Sequence, residues 1–161
     1  MKIPDFETLE EAKQFLRDNW TEGVPCPCCT QFVKQYKRTL QSTMAVMLIS
    51  LYKLERETGE EYHHVTEMMR GYSISGSGDF ASSRFWGLTE EQKNNDNPDT
   101  NKSGYWKLTP LGKEFVKGKT EVFSHIKVFN AKHYGFDGKM ITIRDALGKK
   151  FSYEELMYGT L

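Results

Sequence analysis

Three cysteines within four residues, Cys26-Pro27-Cys28-Cys29, form the densest set of metal-ligating side chains in the chain. Cys26 and Cys29 stand at C-x-x-C spacing in a turn that begins Gly23-Val24-Pro25. Such a turn aims two thiolates at one point and supplies half of a tetrahedral zinc site. The other half calls for histidine. His63 and His64 lie nearest in sequence, with His125 and His133 further on. The expected set is therefore Cys26, Cys29, His63 and His64 around one structural Zn2+, pinning the first helix to the second. The same residues equally allow reduced thiols in a loop. Three cysteines leave one unpaired, against a disulfide scaffold, and no βαβ pattern surrounds the pair as a thioredoxin-like site requires.

A second set has the chemistry of nucleic-acid contact. Arg84 follows Ser82 and Ser83 in a short helical segment; arginine can pair with guanine through two hydrogen bonds, and serines suit phosphates or base edges. Lys93, Lys102 and Lys107 follow in and behind a polar tract and are expected on the phosphate backbone, although Asp96 and Asp99 in that tract repel phosphate. Hydrolytic chemistry finds less. A ββα-metal nuclease would draw on His63, His64, Asn130 and His133, which fall into two groups far apart in sequence. The tract with Ser73, Ser75, Ser77, Gly76 and Gly78 lacks the lysine of a phosphate-binding loop. No carboxylate pair has a context for acid-base work, so a non-enzymatic protein is expected.

The elements that position these residues follow from periodicity. Leu9, Ala12, Phe15, Leu16 and Trp20 predict a helix over 7–20, with Asp5 or Thr8 as its cap. Residues 31–38 alternate as a short strand or begin the next helix. Met44, Met47, Leu48, Leu51 and Tyr52 predict a central helix over 40–57 that Gly59 stops. Residues 62–65, where His63-His64 reads as a partly buried strand edge, lead to a helix over 66–70, a loop over 71–78 and a helix over 80–85 capped by Asp79. Leu88-Thr89 begins a strand, residues 90–103 contain no aliphatic side chain and read as a loop, and Tyr105–Thr109 reads as the returning strand. Pro110-Leu111-Gly112 opens another helix. Strands over 122–131 and 139–144, a turn at Leu147-Gly148 and a short helix over 151–157 close the chain.

Helix, strand, polar loop, strand, helix is the order of a winged helix. The run GYWKLTPLGKEFVKG resembles the wing strand and final helix of MarR-type and related winged-helix regulators, where a tyrosine strand runs into Leu-Thr-x-x-Gly. The wider arrangement, PCPCC, VKQYKR, DFASSRFWGL and GYWKLTPLGKEFV, resembles small proteins of phages and prophage regions over about residues 20–130. The resemblance implies a winged-helix fold with an N-terminal cysteine knuckle; it brings no settled activity. MarR-like proteins usually dimerise through long terminal helices, whereas the C-terminal segment here reads as strands; a homodimer stays open.

The expectation is an α+β chain: an N-terminal helix and cysteine knuckle over 1–38, a winged helix-turn-helix core over 39–119, and a β-rich C-terminal extension over 120–161 packed on the same core. Its expected function is duplex DNA binding, as a phage or prophage transcriptional regulator, with Ser82, Ser83, Arg84, Lys93, Lys102 and Lys107 in contact. The alternative is a winged-helix adaptor that binds a protein partner. The 22 basic and 22 acidic residues balance, which argues against strong non-specific nucleic-acid binding. No apolar run approaches the roughly 20 residues of a membrane span, and the N-terminus lacks the basic-then-apolar order of a signal peptide. A cytoplasmic location is expected.

Overall fold

The computed structural model describes residues 3–72, 74 and 79–159. It is a mixed α and β structure whose chain divides into two compact units. The expected loop over 71–78 lies largely outside the described residues.

The first unit comprises residues 1–38 and 126–137. Helix α1 (Leu9–Asn19) starts where Thr8 accepts a hydrogen bond from the Glu11 backbone and Glu11 reaches back to Thr8, a reciprocal capping box. Thr8, not Asp5, is therefore the cap. Strands β1 (Val24–Pro25) and β2 (Phe32–Val33) pair antiparallel and enclose the cysteines. Trp20 packs against the Phe129 and Tyr134 rings at centroid distances of 5.6 and 4.9 Å, and Lys37 pairs with Asp137 at 2.6 Å. Strand β3 (Tyr36–Thr39) leads out of this unit, so residues 31–38 form two short strands and no part of a helix.

The second unit comprises residues 39–125 and 138–161. Its axis is α2 (Ser42–Thr58), in which every residue from Met44 to Leu51 is buried. A helix apolar all round has to be surrounded, and α3 (Val65–Met69), α4 (Pro110–Val116), α5 (Ile143–Leu147) and α6 (Tyr153–Tyr158) all pack on it. Each fully buried Leu, Ile or Met contributes about 1.5–3 kcal/mol. Lys113 donates to Glu55 Oε1 at 2.8 Å, tying α4 to α2. The helix ends at Gly59, whose φ of 76° places it in the left-handed region while its N–H closes on Glu55 O.

Two three-stranded sheets complete the chain. Strand β4 (His63–His64) and strand β5 (Thr89–Lys93) flank β6 (Asn101–Leu108), both antiparallel to it. The other sheet has the order β3-β7-β8, with β7 (Val122–Phe129) and β8 (Lys132–Ile141) running from the second unit into the first and back. Asn130 and Ala131, with φ of 50° and 59°, make the two-residue reversal between them. The strand expected over 139–144 thus starts earlier and stops at Ile141, and Arg144 belongs to α5. There Thr142 and Asp145 form a second capping box.

Candidate nucleic-acid interface

Between α3 and β5, where a helix over 80–85 is expected, the chain forms a 3₁₀ helix, Phe80–Trp86. Its buried residues are Phe80, Ser83 and Trp86. That spacing of three matches the three residues per turn of a 3₁₀ helix, so one face turns inward along its whole length. Trp86 anchors it by donating its indole N–H to Phe123 O at 2.7 Å, and the Phe80 ring meets Trp106 edge-on at 5.9 Å. Gly87 ends the helix at φ 76°, its N–H closing on Arg84 O and Ser83 O.

This geometry corrects one orientation. Ser83, expected outward beside Ser82 and Arg84, is fully buried. Its hydroxyl donates to Phe80 O at 2.6 Å and accepts from the Thr89 hydroxyl at 2.6 Å. Ser83 stands three residues from both Phe80 and Trp86 and shares their inward face, while Ser82 and Arg84 flank it on the outer sides. Ser82 is half-buried, and Arg84 is exposed with its guanidinium carbon 4.6 Å from the Phe85 ring centroid.

The hairpin beyond is longer than the polar composition implied. Ladder pairing joins Thr89 to Leu108, Glu90 to Lys107, Glu91 to Trp106 and Lys93 to Asn101, with a register shift between Glu91 and Lys93. Lys93 and Lys102 therefore sit at strand ends, and only residues 94–100 form the tip. Asn94 and Asn97 side chains accept from the Asp96 and Asp99 backbones, so the tip folds on its own polar groups. Backbone ladder bonds do not depend on side-chain polarity, and an exposed edge strand tolerates charge on its open face.

The lysines differ in what they face. Lys102 lies 4.1 Å from the Tyr105 ring centroid. Lys107 is half-buried, stands 3.6 Å from Glu61 and lies over the Tyr62 ring. Tyr62 first, then the Glu61 and Glu90 carboxylates, hold its ammonium above the usual lysine range. Arg84, Lys93 and Lys102 enter no ion pair among the described residues. Glu90, Asp96 and Asp99 are exposed on the same hairpin, which leaves its surface mixed in sign.

Cys26 and Cys29 belong to the first unit, and His63 and His64 to the second. Among the described residues no three His, Cys, Asp or Glu side chains group as metal ligands. The Cys26 N–H donates to Gln31 O at 2.8 Å, Thr30 turns back onto Cys26 O, and the Cys28 N–H points at Cys26 Sγ at 3.4 Å. Backbone donors of Cys28, and next of Cys29, lower the Cys26 thiol below its usual range, which suits a thiolate ligand. Cys28 and Cys29 are exposed.

The histidines are engaged elsewhere. His63 is buried in β4, its Nδ1 3.1 Å from Glu67 Oε2 and its Nε2 2.9 Å from Glu60 O. His64 Nδ1 accepts from the Thr66 backbone as the cap of α3, and its ring lies edge-on to Tyr105. Sequence reasoning missed that the pair builds the β4–α3 corner; the signal was Glu67, three residues after His64, as in a capping box. Searches of protein-family models, curated proteins and solved structures find no match to this chain.

Proposed function

We propose that residues 42–108 form a winged helix-turn-helix module that binds duplex DNA, with Arg84 reading bases and Lys93 and Lys102 on the backbone. The observation that carries this reading is topological. The order α2, β4, α3, 3₁₀ helix, β5, β6, with β6 central between β4 and β5, is that of a helix-turn-helix followed by a wing. In such a module the second helix of the pair meets the major groove, and here Arg84 is the exposed cation of that helix. Ser82 flanks it, Ser83 supports the helix from within, and Lys107 stands behind the hairpin against Glu61.

Fluorescence anisotropy with mixed-sequence duplex DNA at low and moderate salt tests it. Two exposed lysines on phosphates would give a log–log salt slope of roughly −2, and Arg84→Ala would cost about 1–3 kcal/mol with relaxed preference at one position. Absence of binding at low salt together with failure to select a preferred duplex from a random pool sinks the proposal.

A protein-binding version of the module is the second reading. Glu90, Asp96 and Asp99 share the hairpin with Lys93 and Lys102, and the chain carries no net charge. A surface of mixed sign suits a protein partner of complementary pattern. Capture of one stoichiometric partner, lost on Arg84→Ala, without DNA binding would favour it.

A further inference from the structure

A cleft of about 850 Å³, with Arg84 outside its lining, opens in the second unit where the start of α2 meets the end of β8 and α5. Its floor is apolar, from the buried Leu40, Ile141 and Leu147. Its rim is not balanced like the chain as a whole. Lys139, Arg144, Lys149 and Lys150 line it against one acid, Asp145. Asp145 is turned to the start of α5, where its Oδ2 accepts from the Thr142 N–H at 2.9 Å. Arg144 is paired with Glu154, which is not in the lining. Lys139, Lys149 and Lys150 are exposed and enter no ion pair among the described residues.

Thr39, Gln41, Ser42 and Ser124 also line it, and the nearly buried Ser124 pairs its hydroxyl with His125 Nδ1 at 2.7 Å. Gln41 is the N-cap of the 17-residue α2 but makes no side-chain capping bond, and the first turn carries no acid. The positive end of that helix dipole therefore adds to the field of the lysines.

We propose that this cleft binds the phosphate group of a soluble phosphorylated small molecule, held by Lys139, Lys149 and Lys150 with the hydroxyls of Ser42 and Thr39. Lysines act on phosphate as point charges, and three on one rim, with Lys139 also felt by the Asp145 carboxylate, favour a multiply charged anion. A volume of 850 Å³ exceeds a lone phosphate and falls in the range of small-molecule sites. The apolar floor takes the remainder of the molecule.

The test is a titration of the full, isotope-labelled chain with inorganic phosphate, followed by amide NMR at ionic strength held constant with chloride. Saturable shifts confined to the start of α2 and residues 139–150 are expected. The Lys139→Gln/Lys149→Gln/Lys150→Gln variant should weaken them roughly tenfold while melting at the wild-type temperature. Shifts that do not saturate, that scatter over the molecule, or that persist unchanged in the triple variant overturn the proposal. Flotation with phosphatidic acid vesicles is the second arm. Vesicle binding that the triple variant loses, with no response to free phosphate, would assign the cleft to a lipid headgroup and overturn the soluble ligand. Arg84→Ala should leave the phosphate titration unaltered, so the two sites fail or succeed separately.

Discussion

Two helices of the second unit have the same length and opposite characters. The 3₁₀ helix Phe80–Trp86 and α4, Pro110–Val116, are seven residues each. In α4 the buried residues are Gly112, Phe115 and Val116, the mixed three-and-four spacing of an α-helix, and Thr109 caps the start by accepting from the Gly112 N–H. In the other, Phe80, Ser83 and Trp86 repeat every three residues, and Asp79 makes no side-chain capping bond to the helix. The spacing of the anchors sets which helix forms, and the helix type then sets which residues reach solvent. For α4 the result is a core brace. For the 3₁₀ helix it is one inward face with Arg84 left outside.

If the anchors govern, removing one should cost most. Trp86→Ala deletes a buried indole and its bond to Phe123 O, and should destabilise by about 3–5 kcal/mol in chemical denaturation. A cost under half of that would mean that the 3₁₀ helix is held by its ends. The matching change in α4 tests closeness of approach. Gly→Ala within a helix ordinarily stabilises by about 1 kcal/mol. At Gly112 a Cβ would stand 2.1 Å from Leu88 O, which is backbone and cannot swing away. Gly112→Ala should therefore destabilise by about 1–3 kcal/mol. A rise in melting temperature would show that α4 has slack against that loop.

Legibility followed how local each determinant was. The buried run of α2 was plain from its apolar spacing, although the helix starts at Ser42 because Leu40 gives its N–H to Ser124 O in the β3–β7 sheet. The polar composition of residues 90–103 points to a loop, because the ladder bonds that hold the hairpin strands leave no mark in composition. β8 was masked by Gly135 and Gly138, which interrupt its alternation at φ of 116° and 81°. Arg84 is legible as an outward cation, whereas the inward turn of Ser83 follows from the burial of Phe80 and Trp86 three residues to either side, which packing decides. Lys139, Lys149 and Lys150 could not be connected with Ser42 from sequence, because only the packing of α5 beside the start of α2 brings them to one cleft.

Among the caps, Thr109→Ala removes the bond to the Gly112 N–H and should cost about 1 kcal/mol, read as a lower denaturation midpoint with an unchanged slope. An unmoved midpoint would show that this cap carries no energetic weight.

The inner and outer faces of the 3₁₀ helix separate most finely at adjacent serines. Ser83→Ala removes the acceptor of the Thr89 hydroxyl, and both residues are buried. The expected cost is about 1 kcal/mol of stability, with DNA affinity unaltered once folded protein is counted. Ser82→Ala, on the half-buried outer side, should do the reverse, leaving the denaturation midpoint in place and weakening anisotropy binding by a few-fold, the worth of one neutral hydrogen bond. Loss of DNA affinity in Ser83→Ala without loss of stability would return Ser83 to the interface and break the link between three-residue spacing and orientation on which the reading of Arg84 rests.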